Sequence, residues 1–304
     1  MKKSHLTLLL CLVIGSKAVF AQQVPASMQV RPATGVYPAT LPDDSTGFVP
    51  IFDGKTLKDW DGDPTFWRAE NGEIVGETTA EKVVKVNNFL IWRGGTVRDF
   101  ELKTDFKING TNSGIQYRSK ELPDIGKWVL KGDQADIEFT NGYTGNIHEE
   151  RGRTGHVVLS RRGELTRVSE GPKFKTLATI ADPVLLKGII NINGWNSYHI
   201  IARGPIIFQI INGQLMSAVI DEDTKNFTPE GLIGFQMHVG PSFKVQYRNI
   251  LYVENDLFIF INMELFRLHR LVSFDDQLAY FTFLDKVHCL NFLSMSRDGK
   301  AYQN

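Results

Sequence analysis

The sequence predicts an all-β domain, a sandwich or a barrel, on three observations. From residue 47 to residue 252 the chain consists of short runs rich in β-branched and aromatic residues, separated by turn residues. Several of these runs alternate strictly between apolar and polar residues, as half-buried strands do. Over the same stretch no run repeats its apolar residues at helical spacing, and residues 181–186 are expected to form at most a short turn.

Residues 1–21 have the pattern of a secretory signal peptide. Lys2 and Lys3 precede an apolar run over residues 6–14, and Ala21 ends a cleavage motif. The apolar run is too short to span a membrane. We therefore expect an exported protein, periplasmic or extracellular, without a transmembrane segment.

Charge and cysteine content exclude several classes of function. The chain carries 34 basic and 34 acidic residues, and loss of Lys2, Lys3 and Lys17 with the signal peptide leaves 34 − 3 = 31 basic residues. This near-neutral balance gives no electrostatic attraction for nucleic acid, which we exclude as a partner. Cys11 lies in the signal peptide and Cys289 near the C-terminus, so the mature chain is expected to form no internal disulfide and no thiolate metal site.

The two ends of the chain differ in composition from the predicted β domain. Residues 22–46 contain four prolines and are expected to form an extended linker. Residues 253–304 hold seven phenylalanines and a single glycine, and residues 263–270 have the pattern of an amphipathic helix. A tail this apolar must pack on another surface or aggregate, and its role is unknown.

Turn signals and alternation locate the strands of the domain. Asn71-Gly72 and Asn212-Gly213 each lie between two apolar runs, which is the strongest short-range signal for a hairpin. Residues 100–108 are the clearest alternating strand, and we expect their polar side to face solvent. Residues 243–250 also alternate and are expected to close a sheet.

Three further runs place polar side chains on one face of the predicted sheet. Residues 132–139 alternate so that Gln134, Asp136 and Glu138 face away from the apolar side. Two other runs, residues 113–118 and 233–238, add four more such side chains: Gln116, Arg118, Gln236 and His238. If these strands share one sheet, their polar faces form a basin.

A glycine-punctuated segment over residues 141–153 follows the Asp136 strand. It carries five ionisable side chains: His148, Glu149, Glu150, Arg151 and Arg153. A solvated loop with weak local ion pairs explains it, since such pairs each contribute roughly 0 to 1 kcal/mol. The alternative is that the segment lies against the basin and contributes to a binding site.

Five motifs in order along the chain resemble the 3-keto-disaccharide hydrolase family. They are IFDGKTLKDW over residues 51–60, NSGIQYR over 112–118, GDQADI over 132–137, GNIHEERGR over 145–153, and GFQMHVGP through VQYRNI over 234–250. The resemblance extends from about residue 47 to residue 252. It implies a jelly-roll sandwich of two antiparallel sheets, of the concanavalin A-like lectin/glucanase type, exported by bacteria.

The resemblance also implies a carbohydrate substrate whose C3 hydroxyl has been oxidised to a ketone, cleaved by elimination and hydration. The sequence has no glycine-rich fingerprint for a nucleotide cofactor. We therefore expect a separate sugar 3-dehydrogenase to make the ketone, and we expect this protein to need no cofactor. The side chains of Asp136, His148, Glu149 and His238 are of a type that binds divalent metals, although their spacing is not diagnostic of a metal site.

The elimination chemistry assigns roles to the polar residues. A ketone at C3 acidifies the C2 proton, so the reaction needs a base near C2, an electrophile near the C3 oxygen and an acid near the glycosidic oxygen. Our hypothesis is Asp136 or His238 as the base, Arg118 as the enolate stabiliser, and Glu149 or Glu150 as the acid or a sugar ligand. The remaining sugar-binding candidates are Gln116, Gln134, Glu138, His148, Glu150, Arg153 and Gln236.

Other interpretations compete with this hypothesis. His238 alone is more often a structural hydrogen-bonding residue, and Arg118 could pair with Glu138 or Asp136 across the sheet. The domain could be a carbohydrate-binding module without catalysis, or a cell-surface interaction domain whose tail docks a partner. An ordinary glycoside hydrolase is disfavoured, because Gln134 and Thr140 interrupt the run of three alternating acids that laminarinase-type enzymes have.

Overall fold

The computed structural model describes residues 45, 47–153 and 155–254. The predicted signal peptide and nearly all of the predicted linker lie outside the described residues, as does the tail beyond residue 254.

A ten-stranded sheet forms the first layer. From one edge to the other it contains β12 (Lys173–Thr179), β11 (Glu164–Ser169), β15 (Gln214–Asp221), β14 (Ile206–Ile211), β13 (Asn196–Arg203), β6 (Phe100–Ile108), β17 (Lys244–Glu254), β4 (Glu73–Glu77) and β3 (Trp67–Glu70), with β1 (Val49–Pro50) paired to β17.

A seven-stranded sheet forms the second layer. Its order is β10 (Gly155–Ser160), β9 (Ile147–Gly152), β8 (Leu130–Glu138), β7 (Asn112–Glu121), β16 (Leu232–Met237), β5 (Asn88–Trp92) and β2 (Trp60–Asp61). Neighbouring strands in both sheets run antiparallel, except that β11 and β15 are parallel. The predicted all-β jelly-roll sandwich of two antiparallel sheets is therefore confirmed, with one parallel pair that the sequence did not predict.

The main core lies between the two sheets. It joins Leu102 and Tyr247 of the ten-stranded sheet to Ile115 and Phe235 of the seven-stranded sheet, and all four side chains are buried. The Phe235 and Tyr247 rings stack with their centroids 4.0 Å apart. Burying each such side chain contributes about 1.5–3 kcal/mol, so alternation along the strands is what fixes which face of each sheet turns inward.

Both predicted Asn-Gly hairpins are present. Asn71-Gly72 joins β3 to β4, and Asn212-Gly213 joins β14 to β15. All four turn residues have positive φ, from 49° to 81°. Asn and Gly tolerate this conformation better than other residues, which explains why the dipeptide predicts the hairpin.

Three local predictions need correction. Residues 183–189 form the short helix α1 (Pro183–Ile189), capped by the Asp182 carboxylate, which accepts a hydrogen bond of 2.7 Å from the Val184 amide. This helix is specified by its cap and proline, and buries only Leu186, so periodicity does not reveal it. Within the described residues no helix is long and apolar enough to cross a membrane.

The other two corrections concern strands. The polar side of β6 is not simply solvated, since Glu101 is buried and lies 2.8 Å from the His199 Nε2 atom. The segment over residues 141–153 is not entirely a loop, because its second half forms β9. Pairing of β9 with both β8 and β10 brings its ionisable side chains onto two opposite faces of the sheet.

Candidate functional site

A pocket of about 220 Å³, open to solvent, lies on the outer face of the seven-stranded sheet. Its wall is built almost entirely from polar and ring-bearing side chains: Asn87, Asn112, Gln134, Asp136, Tyr143, His148, Glu150, His156, Val158, Gln236 and His238. These residues come from β7, β8, β9, β10 and β16 and from the loops at their ends, apart from Asn87, which directly precedes β5. The predicted polar basin is thus formed, because the three runs that suggested it are adjacent strands.

Strand register explains which side chains reach the pocket. Gln116 on β7 lies opposite Gln134 on β8, which lies opposite His148 on β9. Residues one position along, such as Ile115 and Ala135, point to the core between the sheets. A single row of polar side chains therefore crosses three strands at the floor of the pocket.

Amide and carboxylate groups form a connected hydrogen-bond network on this floor. The Glu150 carboxylate accepts a bond of 3.0 Å from Asn87 Nδ2 and one of 2.5 Å from Gln236 Nε2. Gln236 Nε2 also donates to Gln134 Oε1 over 3.0 Å. Because Gln134 Oε1 is thereby an acceptor, its Nε2 is turned toward Asp136 and donates to Oδ1 over 3.0 Å.

The surroundings of the Asp136 carboxyl raise its pKa. Burial, aided by the negative charges of Glu150 and Glu138, raises its pKa to about 7 against the opposing effect of the hydrogen bond from Gln134. Only the Oδ1 atom is held by Gln134, and Asp136 lines the pocket. A carboxyl with a pKa near neutrality is suited to proton transfer at neutral pH.

The His238 side chain has a fixed tautomer. Its Nδ1 atom lies 2.5 Å from the carbonyl oxygen of Val239. A carbonyl can only accept, so Nδ1 carries the proton and donates it to that oxygen. In the neutral ring Nε2 therefore holds a lone pair, and the ring lines the pocket.

A glycine allows Gln134 to lie across the sheet. A Cβ atom at Gly114 would lie 2.5 Å from Gln134 Cδ and 2.7 Å from its Nε2. Gly114 is opposite Asp136 in the β7–β8 pairing. The absence of a side chain at this position is therefore what lets the Gln134 amide reach the Asp136 carboxyl.

Asn112, at the start of β7, lines the pocket without a side-chain hydrogen bond to the described residues. Its Oδ1 atom is buried and unpaired. An amide in this position can donate through Nδ2 to an oxygen of a bound molecule.

The predicted site residue Arg118 lies away from the pocket. A bulge in β7 after Tyr117 changes the alternation, and Arg118 itself has φ of 50°. Its guanidinium is fully buried and donates to the carbonyls of Arg98 and Gly204 and to the Asp99 carboxylate. The prediction that Arg118 stabilises an enolate, and the alternative that it pairs with Glu138 or Asp136, are both wrong.

Glu149 and Arg153 lie on the opposite face of the sheet from the pocket. Arg153 makes a two-pronged ion pair with Asp221 on β15, with N–O distances of 2.6 and 3.2 Å, and its Nε is 3.2 Å from Glu149. All three side chains are buried. The predictions of Glu149 as acid or ligand and Arg153 as a sugar ligand are therefore corrected: both act in a buried ion pair between the sheets.

Asp133 belongs to the same buried group. Burial, together with the charges of Asp221 and Glu149, raises its pKa to about 8 against the opposing effect of Arg153 and Arg118. Burial also raises the pKa of Glu149. The Asp133 carboxyl is therefore largely protonated at neutral pH.

Two further predicted sugar ligands, Glu138 and Gln116, do not line the pocket. Glu138 accepts from Thr140 and from the Gly142 amide, so it organises the following loop and lies outside the pocket. Gln116 is fully buried and contacts Gln134 and Glu150 from below, with both distances 3.4 Å. The structure thus brings together Gln134, Asp136, His148, Glu150, Gln236 and His238 of the predicted set.

Sequence reasoning missed several pocket residues: Asn87, Asn112, Tyr143, His156 and Val158. Asn112 begins one of the family-like motifs, and its place at a strand start was a usable signal. Asn87 and His156 become pocket residues only through sheet pairing, which no local pattern encodes. Among the described residues, no cluster of three or more histidine, cysteine or acidic side chains is arranged to hold a metal ion.

The fold and the pocket define a jelly-roll sandwich with a polar pocket on the outer face of one sheet. A family model described as a 3-keto-alpha-glucoside-1,2-lyase-like domain matches residues 47–251, and the chain belongs to this family. This confirms the resemblance inferred from the motifs.

Individual relatives match a smaller part of the chain or share a low sequence identity with it. A 3-keto-disaccharide hydrolase of Bacteroides thetaiotaomicron is 36% identical over 90 residues, which cover 27% of this chain and 31% of that protein. The match thus spans about a third of the relative. A putative glycosyl hydrolase structure from Parabacteroides distasonis has 18% identity and a TM-score of 0.46, covering 72% of this chain and 99% of that chain. The carbohydrate-binding module CBM66 from Bacillus subtilis has 14% identity and a TM-score of 0.36, covering 70% and 98%.

Proposed function

We propose that this protein cleaves the glycosidic bond of 3-keto-glycosides by elimination followed by hydration. The observation that carries the proposal is the pairing, in one pocket, of a carboxyl with a near-neutral pKa, Asp136, and an imidazole with a fixed lone pair, His238. Membership of the 3-keto-alpha-glucoside-1,2-lyase-like family supports the choice of substrate.

His238 is the base in this proposal. Its Nε2 lone pair removes the proton from C2, and the C–H electrons move toward the C3 carbonyl to form an enolate. Because Nδ1 donates to the Val239 carbonyl, the imidazolium formed by proton transfer is stabilised by that same bond. Asp136, the other candidate base, is better used as the acid.

Asp136 is the acid. As the enolate collapses to a C1=C2 double bond, the C1–O bond breaks, and the leaving oxygen takes the Asp136 proton. A pKa of about 7 keeps a large share of this carboxyl protonated at neutral pH, whereas an ordinary aspartate would be ionised. Water then adds across the double bond, with its hydroxyl on C1 and its proton on C2, to give the free 3-keto sugar.

Asn112 is the electrophile that replaces Arg118 in the scheme. Its side chain faces the pocket with no partner among the described residues, so Nδ2 can donate to the C3 oxygen. A hydrogen bond to the enolate oxygen is stronger than one to the ketone, and it therefore favours the transition state. Gln134, Gln236 and Glu150 hold the acid in place and bind the sugar hydroxyls.

Two further proposals concern the enzyme that supplies the substrate and the location of the protein. We propose that a separate dehydrogenase oxidises C3, since elimination requires a C3 ketone and does not itself oxidise the sugar. We also propose export, on the signal-like residues 1–21.

Incubation of the purified protein with a 3-keto-disaccharide and with its unoxidised parent tests the proposal. We expect cleavage of the keto sugar only, with kcat reduced at least about a hundredfold in Asp136→Asn and His238→Ala, the lower end for loss of acid–base catalysis. Asp105→Asn, a carboxylate on the ten-stranded sheet, is the matched control and should retain activity. Cleavage of the parent sugar, or binding without cleavage of either sugar, would overturn the proposal; loss of activity with a chelator would add a metal to it.

A further inference from the structure

The pocket has two chemically different ends. Over β7, β8 and β16 it is lined by amides, Asp136 and His238, with Glu150 reaching the network from β9. Over the β9–β10 hairpin it is lined by rings and one apolar side chain: Tyr143, His148, His156 and Val158. The first end offers many hydrogen-bonding groups, whereas the second offers flat surfaces.

Pairing of β9 with β10 fixes the ring-lined end. His148 lies opposite Val158, and His156 lies opposite Glu150. The two imidazole rings are diagonal neighbours on the pocket face, with centroids 5.8 Å apart and planes tilted by 37°. Tyr143 stands at the rim and is 57% exposed.

The two imidazole rings make no polar contact that would stabilise the fold. Neither His148 nor His156 makes a side-chain hydrogen bond or ion pair with another of the described residues. Burial, with the neighbouring His156, lowers the pKa of His148 to about 4, so the His148 ring is uncharged at neutral pH. Asp136 and Glu150 border this end of the pocket, and the lining contains no lysine or arginine.

The position of Asp136 indicates which part of the substrate lies at the ring-lined end of the pocket. Asp136 is on β8, directly beside β9, whereas His238 follows β16 on the other side of β7. Two strand spacings, about 10 Å, separate the strands that carry them. If Asp136 protonates the leaving oxygen while His238 attacks C2, the leaving group extends over β9 and β10.

From this arrangement we infer that the surface formed by Tyr143, His148, His156 and Val158 is the leaving-group subsite, and that it selects a flat, uncharged ring. The inference rests on the proposed function for the direction of the leaving group. A ring stacks on the imidazole and phenol faces and is bound by apolar contact. An anionic leaving group is repelled by the Glu150 carboxylate. No lysine or arginine lines the pocket to compensate, and the nearby Arg151 is already paired with Glu150 over 3.5 Å.

Binding of unoxidised glucosides tests this subsite separately from catalysis. The probes are phenyl, methyl and 4-carboxyphenyl glucosides in both anomeric forms, titrated while the imidazole C–H NMR signals are followed. We expect phenyl glucoside to bind about tenfold more tightly than methyl glucoside, a difference of about 1.4 kcal/mol. The 4-carboxyphenyl glucoside should bind more weakly than phenyl glucoside.

Alanine variants of the two histidines test whether these rings cause the preference for phenyl over methyl glucoside. His156→Ala, an exposed position on an edge strand that should not disturb folding, should reduce the phenyl-to-methyl preference to about twofold without changing affinity for methyl glucoside. His148→Ala should act in the same way, and Lys175→Ala on the exposed edge strand β12 should leave the preference intact.

Three results would overturn the inference: equal affinity for phenyl and methyl glucosides, no binding of phenyl glucoside, or a preference unchanged in both histidine variants. A protein that shows the ring preference but cleaves no keto sugar would leave the ring subsite standing, although its link to a leaving group would be lost. A protein that cleaves keto sugars without a ring preference would contradict the subsite alone.

Discussion

At the scale of single residues, the site depends on how Asp136 is held protonated near neutral pH. Gln134 holds its Oδ1 atom, Gln236 fixes the orientation of Gln134, and Glu150 accepts from Gln236. Glu150 also contributes a negative charge that raises the Asp136 pKa. The same carboxylate therefore orients the network and favours the acid form of the catalytic group.

Replacing Glu150 should move the pH dependence of the reaction. In Glu150→Gln one of the charges that raise the Asp136 pKa is lost, so this pKa falls below about 7. The acid must be protonated, and activity is therefore lost at a lower pH on the alkaline side than in the parent protein. The measurements are the pH profile of kcat/KM and the carboxyl ¹³C titration of Asp136 in the free protein.

Glu138→Gln is the matched control for this prediction. Glu138 also raises the Asp136 pKa, but less strongly than Glu150, and it lies outside the pocket. The control should shift the alkaline limb in the same direction by a smaller amount. An unchanged Asp136 titration in Glu150→Gln would contradict the electrostatic role of this carboxylate.

At the same scale, local alternation placed Gln134, Asp136, Gln236 and His238 on the pocket face from the sequence alone. It failed for Arg118, because a bulge in β7 redirects the side chain, and a bulge leaves no mark on an apolar–polar pattern. It failed for Glu149 because the segment was treated as a loop, and a loop has no defined alternation.

At the scale of elements, the β9–β10 hairpin is tied to the rest of the sandwich by Arg153. This residue follows β9 and pairs with Asp221 at the end of β15 in the other sheet. Both side chains are at most 1% exposed. The pair thus connects the two sheets directly behind the ring-lined end of the pocket.

Breaking this pair should destabilise the protein strongly. In Arg153→Met, Asp221 and Glu149 lose their cation while remaining buried, and removal of one partner of a buried pair costs about 3–5 kcal/mol. Urea denaturation measures the change in the free energy of unfolding. Arg68→Met, which removes a half-exposed residue paired with Glu70 and Glu77, is the control and should cost at most about 1 kcal/mol. Equal losses in the two variants would contradict a structural role for the Arg153 pair.

Element by element, hairpins and strands with turn signals were predictable, because Asn-Gly turns and period-two alternation are local. The order of strands in the sheets was not, since it depends on packing between residues far apart in the chain. Helix α1 also escaped prediction, since only Leu186 along it is buried and a capping residue specifies its start.

At the scale of the whole molecule, the sandwich encloses carboxyls that favour the protonated form. Asp133 has a pKa of about 8 in the folded state, well above its ordinary value of about 3.8. Between these two values the folded state keeps a proton that the unfolded state has released. The contribution of Asp133 to stability must therefore fall as pH rises from about 4 to about 8. His148, whose pKa is lowered to about 4 from its ordinary value of 6.5, contributes in the opposite direction between those two values.

The variant Asp133→Asn tests this dependence. An amide cannot ionise, so the Tm of the variant relative to the parent protein should rise between pH 5 and pH 8, and at pH 8 the variant should be at least as stable as the parent. Thermal unfolding followed by circular dichroism at several pH values measures it. A Tm difference between variant and parent that stays constant over this range would contradict the assignment.

The most direct test of the proposed chemistry is to cleave a 3-keto-disaccharide in D₂O and examine the released 3-keto sugar by NMR. Elimination and hydration remove the C2 proton and return one from solvent, so we predict one deuterium at C2 for each bond cleaved, above the exchange of the keto sugar incubated without protein. Release of 3-keto sugar that still carries its original C2 proton would show direct hydrolysis and contradict the roles of His238 and Asp136.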